Sequence, residues 1–207
     1  MSFKPRARPR CQWVNLNNPD YVRYHDEEWG RPVHDDALHF EMITLEGAQA
    51  GLSWETVLNK RATYRKAFAN FDPKTVAAFP QAKAEKLLLN PGVVRNRLKI
   101  ESTISNAKTF LAIQEEFGTF DTYVWGFLGT KIKRNRFNRI TDYPNKTPES
   151  DAFSKDLKKR GFRLWAAPPC TPICKPRALW TTTWSVVSAP SRNLARVSLF
   201  PRLEPRW

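Results

Sequence analysis

The sequence contains little that would take it to a membrane or to an oxidising compartment. No stretch of its 207 residues approaches the roughly 18 to 20 consecutive apolar residues of a membrane span. The basic amino terminus, MSFKPRARPR, lacks the apolar core of a signal peptide. The three cysteines (Cys11, Cys170 and Cys174) do not make a disulfide framework, which favours a reducing environment. We therefore expect a cytoplasmic protein with no membrane partner.

Acidic residues are also scarce in comparison with basic ones. The chain has 34 Lys and Arg against 20 Asp and Glu, a formal net charge of +14. Such a charge is typical of proteins that bind nucleic acid and less often of proteins that bind anionic membranes. Ordinary solubilising charge is the alternative. Residues 1–10 are rich in basic residues and proline, and we expect them to form a disordered basic arm.

Strand-like alternation of apolar and polar residues is missing, whereas helical spacing recurs over residues 11–163. It runs through ALHFEMITLEGAQAGL and then SWETVLNKRATYRKAFANF, where Ser53 is expected to cap a helix. Further helices are expected from Asp72 to Phe79, over AKAEKLLLN, in the long segment that begins at Val93, and in the segment 147–162, whereas residues 120–127 form a short aromatic segment. With 41% hydrophobic residues, the pattern predicts one all-α domain.

The segment LLLNPGVVRNRLKI predicts two helices joined by a tight turn at Pro91-Gly92, the second entered through Val93 and Val94. Backbone N–H groups at the start of a helix bind phosphate oxygens, and Arg95, Arg97 and Lys99 add positive charge around them. The segment resembles the helix-hairpin-helix element of DNA repair enzymes, which grips the DNA backbone without reading its sequence. An ordinary corner between two helices is the alternative.

Two other segments carry residues suited to chemistry. LEGAQAGLSW places the carboxylate of Glu46 in an otherwise apolar helix, where it is costly unless it is used. Glu46 facing solvent or capping a neighbour is the alternative. The segment CQWVNLNNPDYVRYHDEEWG crowds aromatic rings beside Cys11 and His25. Those rings are either core packing or a base-stacking pocket next to half a metal site.

Taken together, these motifs resemble the DNA-3-methyladenine glycosylase I family. The matching segments, in order and spacing, are CQWV, YHDEEWG, FEMITLEGAQAGLSW, the glycine turn with RNRLKI, YVWGF and SDAFSKDLKKRGF, over about residues 9–163. The resemblance implies an all-α helix-hairpin-helix glycosylase that removes 3-methyladenine from alkylated, double-stranded DNA. It implies that Glu46 binds the flipped base, that the base pocket and the DNA backbone are contacted by neighbouring residues, and that zinc is bound at the amino terminus. The pocket residues are Trp13, Tyr21, Tyr24 and Trp54, the DNA-backbone residues are Gly92, Val94, Arg95 and Lys99, and the zinc ligands are Cys11 and His25.

The family's zinc has four ligands, of which this chain has two. The second pair in the family is a carboxyl-terminal His followed four positions later by Cys, and this chain has no histidine after His39. His34 and His39 lie outside the metal motif and are expected at the surface. Residues 164–207 hold seven of the 16 prolines, six basic residues and one acid, and they follow no helical period. They depart from the family pattern.

One lost nucleotide near the codon for Arg163 accounts for this departure. Restoring it gives Gly across Trp165-Ala166 and Asp across Trp180-Thr181, and the codons that follow permit a His-x3-Cys motif. We therefore expect residues 164–207 to be an out-of-frame, disordered tail; a divergent basic tail is the alternative.

The function expected from the sequence is that of a bacterial, nucleoid-associated and monomeric base-excision repair glycosylase. A positively charged 3-methyladenine has a weakened glycosidic bond, and an anionic Glu46 discriminates it from neutral adenine. A catalytically inactive DNA-binding protein of the same fold is the first alternative, because the altered carboxyl terminus removes part of the family structure. A structural or RNA-binding basic protein is the second.

Overall fold

The computed structural model describes residues 10–11, 13–129 and 147–163, and every regular element in these ranges is helical. This confirms the predicted all-α fold. Within the same ranges, no helix is long and apolar enough to cross a membrane. The predicted tail and most of the predicted arm lie outside the described residues. In chain order the elements are α1 (Pro19–Arg23), a π-helical turn (Tyr24–Glu28), α2 (Asp36–Gln49), α3 (Trp54–Leu58), α4 (Arg61–Ala67), a 3-10 turn (Ala69–Phe71), α5 (Pro73–Ala77), α6 (Gln81–Leu88), α7 (Arg97–Phe117), α8 (Phe120–Leu128) and α9 (Pro148–Lys159).

Polar side chains at the helix starts explain many of these boundaries. The hydroxyl of Ser53 accepts a hydrogen bond from the amide of Thr56 at 3.1 Å, so its prediction as an N-cap is confirmed. Such a cap satisfies one of the amides that a helix leaves without an internal partner. The same bond is made at the starts of other helices by Asn18, Asp35, Asp72, Asn96, Thr119 and Thr147.

Two helix boundaries differ from the sequence prediction. The segment after Ser53 is broken between α3 and α4, where Asn59 and Lys60 hold distant parts of the chain: Asn59 accepts from Asn18, and Lys60 donates to the carbonyl of Pro91. The prediction that α7 is entered through Val93 was also wrong. Val93 is buried in the core, and the helix starts four residues later because Asn96 caps it.

Helix α7 is the central element, and it packs against α2, α5, α6 and α8. Its Phe110 stacks on Phe120 of α8, with 4.1 Å between ring centroids, and meets Phe40 of α2 edge-on. All three rings are fully buried. Burying each ring stabilises the fold by roughly 1.5–3 kcal/mol. This packing fixes α2, which carries Glu46, against the middle of the domain.

His39 corrects one prediction about the surface. It lies on the inward face of α2 and is 4% exposed. Its Nε2 is 3.0 Å from Asp121 Oδ1, at the start of α8. His34 is exposed, as predicted, and its Nδ1 is 3.2 Å from the other oxygen of Asp121. The carboxylate of Asp121 therefore gives the buried imidazole of His39 a hydrogen-bond partner. Residue spacing along α2 does not reveal this partner, because Asp121 lies on α8.

Candidate active site

Glu46 lies in the last turn of α2, half-buried, and its charge acts on the hydroxyl of Tyr24. Tyr24 is 3% exposed and belongs to the π-helical turn. Burial raises the pKa of Tyr24 well above its ordinary value, and the negative charge of Glu46 raises it further. Tyr24 therefore keeps its proton at neutral pH and is a hydrogen-bond donor beside a carboxylate.

The predicted pocket aromatics form two adjoining groups. Tyr24 and Trp54 are tilted against one another at 5.3 Å between centroids. Trp13 lies at 5.3 Å from Tyr21 and at 5.2 Å from Trp29. The structure thus brings the four predicted aromatic residues to one side of the domain, around the turn that holds Tyr24. Trp13 is half-buried, whereas the other three are almost fully buried.

Two buried polar atoms lack a hydrogen-bond partner among the described residues. They are the indole Nε1 of Trp54 and the hydroxyl of Thr44, on α2 two residues before Glu46. A buried donor without an acceptor costs about 1–3 kcal/mol. Such orphaned groups are unusual in a packed core and are commoner where a ligand is bound. The indole N–H is a donor available in the aromatic cluster.

A buried ionic network supports the turn that carries Tyr24. The guanidinium of Arg61 donates to both oxygens of Glu28 at 2.7 Å and to Glu41 at 2.6 Å. Arg65 adds two bonds to Glu41, whose side chain is 7% exposed. Burial by itself raises the pKa of Glu41, but the hydrogen bonds from Arg65 and Arg61 outweigh it and leave that pKa below its ordinary value. The network joins the π-helical turn to α2 and α4.

Sequence reasoning missed this network, although a signal for it was present. Glu41 is a carboxylate in an apolar helix in the same way as Glu46. Its partners, Arg61 and Arg65, are spaced four residues apart and therefore share one face of α4. Nothing local to Glu41 indicates which helix that face meets.

Cys11 and His25, the predicted metal ligands, are neighbours in the structure. The amide of Cys11 donates to Nε2 of His25 at 3.4 Å, and Nδ1 of His25 lies 2.8 Å from Asp26. Arg10 donates to both oxygens of Asp26, and this bond, together with His25, lowers the pKa of Asp26 to about 2. Burial raises the pKa of the Cys11 thiol. A histidine oriented by a carboxylate through one nitrogen is the usual arrangement of a metal ligand.

These donors fit one half of a zinc site. Cys11 carries a thiol and His25 an imidazole, which are the ligand types that zinc prefers, and the imidazole Nε2 accepts from the backbone amide of Cys11. Within the described part of the chain, no three or more His, Cys, Asp and Glu side chains are grouped so that they could hold a metal. Cys170 and Cys174 lie outside that part.

The predicted DNA-binding turn, residues 89–96, is braced by α4. The amide of Gly92 donates to Asn90 Oδ1 at 2.8 Å, and that of Val94 donates to the hydroxyl of Tyr64 at 3.0 Å. Lys60 donates to the carbonyl of Pro91 at 2.7 Å. Arg95 is exposed at the surface of the turn. The turn is therefore held in one shape by α4 and presents Arg95 to solvent.

Lys99 differs from the other predicted DNA contacts. Its ammonium does not extend from the turn but donates to the carbonyls of Ala48 and Ala50, at 2.9 and 2.5 Å. These carbonyls belong to the carboxyl-terminal end of α2. Sequence spacing placed Lys99 beside Arg95 in the predicted second helix, and only the packing of α7 against α2 shows where its side chain lies.

Comparison with known proteins places this chain in one family. A sequence model of the family described as methyladenine glycosylase matches residues 13–170. The chain belongs to this family. It is 44% identical over 161 residues to DNA-3-methyladenine glycosylase 1 of Escherichia coli K12, covering 78% of this chain and 86% of the relative. It is also 44% identical over 153 residues to DNA-3-methyladenine glycosylase of Haemophilus influenzae, covering 74% and 82%.

Solved structures support the same assignment of this methyladenine glycosylase family member. A crystal structure of 3-methyladenine DNA glycosylase I is similar with a TM-score of 0.75 at 42% identity, covering 86% of this chain and 92% of the other. The Staphylococcus aureus 3-methyladenine DNA glycosylase I, in a structure on 3-methyladenine recognition, gives a TM-score of 0.74 at 28% identity, covering 86% and 95%. The predicted family resemblance is confirmed.

Proposed function

We propose that this chain excises 3-methyladenine from alkylated double-stranded DNA, with Glu46 recognising the positively charged base in a pocket formed by Tyr24, Trp54, Tyr21 and Trp13. The activity is that of the relatives at 44% identity, which are named DNA-3-methyladenine glycosylases. The observation that carries the residue assignment is the half-buried carboxylate of Glu46 close to the Tyr24–Trp54 pair. Family membership does not favour the alternative of an inactive DNA-binding protein.

The chemistry requires little acid catalysis from the protein. Methylation at N3 gives the adenine a positive charge, and a positively charged base leaves the sugar easily. A carboxylate beside that base stabilises it more than it stabilises neutral adenine, and the preference is strong because the site is shielded from water. Tyr24, protonated at neutral pH, can donate a hydrogen bond to the base, and the aromatic rings stack on its faces.

Replacement of Glu46 tests this assignment. We expect Glu46→Ala to lose excision of 3-methyladenine by about 100-fold or more, because an electrostatic contact in a shielded site is removed. Single-turnover release of the base from alkylated DNA measures the loss. Affinity for undamaged DNA should stay within a factor of about two, because it comes from phosphate contacts. Glu115→Ala, at an exposed position of α7, is the control for the loss of one carboxylate. Near-normal excision by Glu46→Ala would contradict the role of Glu46 in recognising the base.

We propose the turn at residues 89–96 as the helix-hairpin-helix contact with the DNA backbone, through Arg95. The amides of Gly92 and Val94, which the sequence predicted as contacts, donate to Asn90 and Tyr64 and so shape the turn. Support comes from the brace on α4, which holds the turn in one shape, and from the exposure of Arg95. Arg95→Ala should weaken binding to all DNA sequences and reduce the slope of log K against log salt concentration by about one. Lys108→Ala, which removes an exposed charge further along α7, should leave the slope nearly unchanged. If Arg95→Ala has the same salt slope as the unaltered protein, the turn is an ordinary helix corner and not a DNA contact.

We also propose that Cys11 and His25 correspond to two of the four ligands of the family's structural zinc, that the protein acts as a monomer, and that it works on chromosomal DNA in a bacterial cytoplasm. The adjacent positions of Cys11 and His25 and the orienting carboxylate of Asp26 support the first proposal. Bound zinc would hold the amino-terminal segment, which carries Trp13, to the rest of the domain. The net charge of +14 supports association with the nucleoid.

A further inference from the structure

The ammonium of Lys99 links α7, which follows the proposed DNA-binding turn, to α2, which carries the proposed base-binding residue Glu46. Lys99 lies in the first turn of α7, which follows directly on the turn at residues 89–96. Its Nζ donates to the carbonyls of Ala48 and Ala50, at the end of the helix that carries Glu46. The last carbonyls of a helix have no partner within the helix. One side chain of α7 therefore supplies two of the bonds that complete α2.

The charge of Lys99 suits this position. The carboxyl-terminal end of a helix carries partial negative charge, so a cation there is favoured. Partial burial lowers the pKa of Lys99, which shows that the ammonium is withdrawn from solvent rather than extended into it. Lysine loses considerable side-chain freedom when it is fixed, and two short bonds offset that cost.

A second set of contacts holds the other side of the same turn. Thr63 and Tyr64 of α4, and Lys60 just before it, contact the turn at residues 89–96. Arg61 and Arg65 of α4 bind Glu41 on α2. Two routes thus connect the turn to α2. One runs through α4 to Glu41 in the middle of α2, and the other runs through Lys99 to the carboxyl-terminal end of α2. Lys99 reaches the end beside Glu46.

We propose that Lys99 is a positioning residue that couples docking of the turn on DNA to the placement of Glu46, and that it is not a phosphate contact. The proposal rests on the proposed function, in which the turn binds DNA and Glu46 binds the base. Without the two bonds, the last turn of α2 loses its fixed relation to α7, and Glu46 no longer meets the base in one geometry. A displacement of about 1 Å at such a site costs as much as 100-fold in rate.

The experiment compares Lys99→Met, Lys99→Arg and the control Lys108→Met. Met keeps the length of the side chain but donates no hydrogen bond, whereas Arg keeps the charge and the donors. Each variant is assayed for single-turnover release of 3-methyladenine at saturating DNA, for the salt dependence of binding to undamaged DNA, and for binding of free 3-methyladenine by tryptophan fluorescence. Lys108 is exposed on the same helix, so its variant matches the loss of charge.

We expect Lys99→Met to slow release at saturating DNA by about 10- to 100-fold and to weaken binding of the free base, while the salt slope stays unchanged. Lys99→Arg should restore most of the release rate. If Lys99→Met lowers the salt slope by about one and leaves release unchanged, Lys99 is a phosphate contact and the proposal is overturned. Unchanged release with an unchanged slope overturns it as well.

Lys99→Gln keeps the test decisive if Lys99→Met does not fold. Its amide has a donor but no charge and a shorter reach, so release should slow by at least about threefold with the salt slope unchanged. Full release by Lys99→Gln overturns the proposal. Failure of the proposed function has a separate signature: an unchanged slope in Arg95→Ala rejects the DNA-binding turn, and normal release by Glu46→Ala rejects the pocket, whatever the Lys99 variants do.

Discussion

Gly92 shows how a single position in this chain is decided by one neighbour. A Cβ atom at Gly92 would lie 2.0 Å from Cγ2 and 2.8 Å from Cβ of Thr63 on α4. Real Cβ atoms do not approach other carbon atoms so closely. The absent side chain therefore lets the turn at residues 89–96 lie flat against α4, where Tyr64 and Lys60 bind it. Close approach, and not an unusual backbone angle, requires glycine here.

Gly92→Ala should consequently destabilise the fold by about 1–3 kcal/mol, through overpacking against Thr63. Urea unfolding followed by circular dichroism measures the change. Gly126→Ala is the matched control, because a Cβ there meets nothing within 4 Å and alanine favours a helix. The double variant Gly92→Ala/Thr63→Ala should lose less than the sum of the two single losses, because Cγ2 is gone. Strict additivity would contradict this account.

Among the secondary-structure elements, the short helix α4 connects two parts of the site. It has seven residues, yet it holds the turn at residues 89–96 through Tyr64 and the centre of α2 through Arg61 and Arg65. A helix of that length is not stable by itself in water, so its position depends on these contacts. The bonds from Arg61 and Arg65 to the buried carboxylate of Glu41 are among them.

Ionised Glu41 stabilises the fold, and the effect depends on pH. The pKa of Glu41 in the folded protein is below its ordinary value near 4.5, so this contribution is complete above that pH and is lost as the pH falls through the folded pKa. At pH 7 we expect Glu41→Gln to lower the free energy of unfolding by about 3 kcal/mol, because two guanidinium groups lose a charged acceptor. The difference between variant and unaltered protein should shrink below about pH 4.

Denaturant unfolding at pH 7 and again near pH 3.5 measures this narrowing. Glu115→Gln, at an exposed position, should change stability by less than about 0.5 kcal/mol at either pH. An equal loss at both pH values for Glu41→Gln would mean that packing, and not charge, explains the effect of the substitution.

At the scale of the whole molecule, the predicted origin of the carboxyl-terminal tail is a question for the gene sequence. The family model ends at residue 170, and residues 164–207 lie outside the described part of the structure. That these residues are read out of frame stays a prediction. Sequencing the gene across codons 160–166 checks it directly: an additional nucleotide there is the expected finding, and an unbroken reading frame with the present codons contradicts it.

The zinc content of the purified protein follows from the same prediction. A structural zinc site needs four nitrogen or sulfur ligands, and Cys11 and His25 supply two. We expect much less than one zinc per chain after dialysis against a weak chelator, measured by elemental analysis, since half a site holds the metal weakly. One tightly held zinc that Cys170→Ser abolishes would show instead that the tail completes the site. Cys11→Ser is the control for the amino-terminal half.

The sequence by itself determined the class of fold, the family and the type of chemistry. Helical spacing, the Ser53 cap and the ordered motifs each depend on residues close together in the chain, so they can be recognised without knowledge of distant contacts. For the same reason, Glu46 and Trp54 could be singled out before any contact was known. In the structure the charge of Glu46 acts on Tyr24, which packs against Trp54, and the roles that the motifs imply for these residues stay predictions.

Only the tertiary structure decided where α7 begins, why His39 is buried, and which partners Glu41 and Lys99 have. Each of these depends on residues far away in the chain: Val93 is drawn into the core, His39 meets Asp121, and Lys99 reaches the end of α2. A charged side chain looks the same in the sequence whether it faces a phosphate or another helix. Its role is set by which surfaces pack together, because the cost of burying its charge is met only by partners that the fold brings to it.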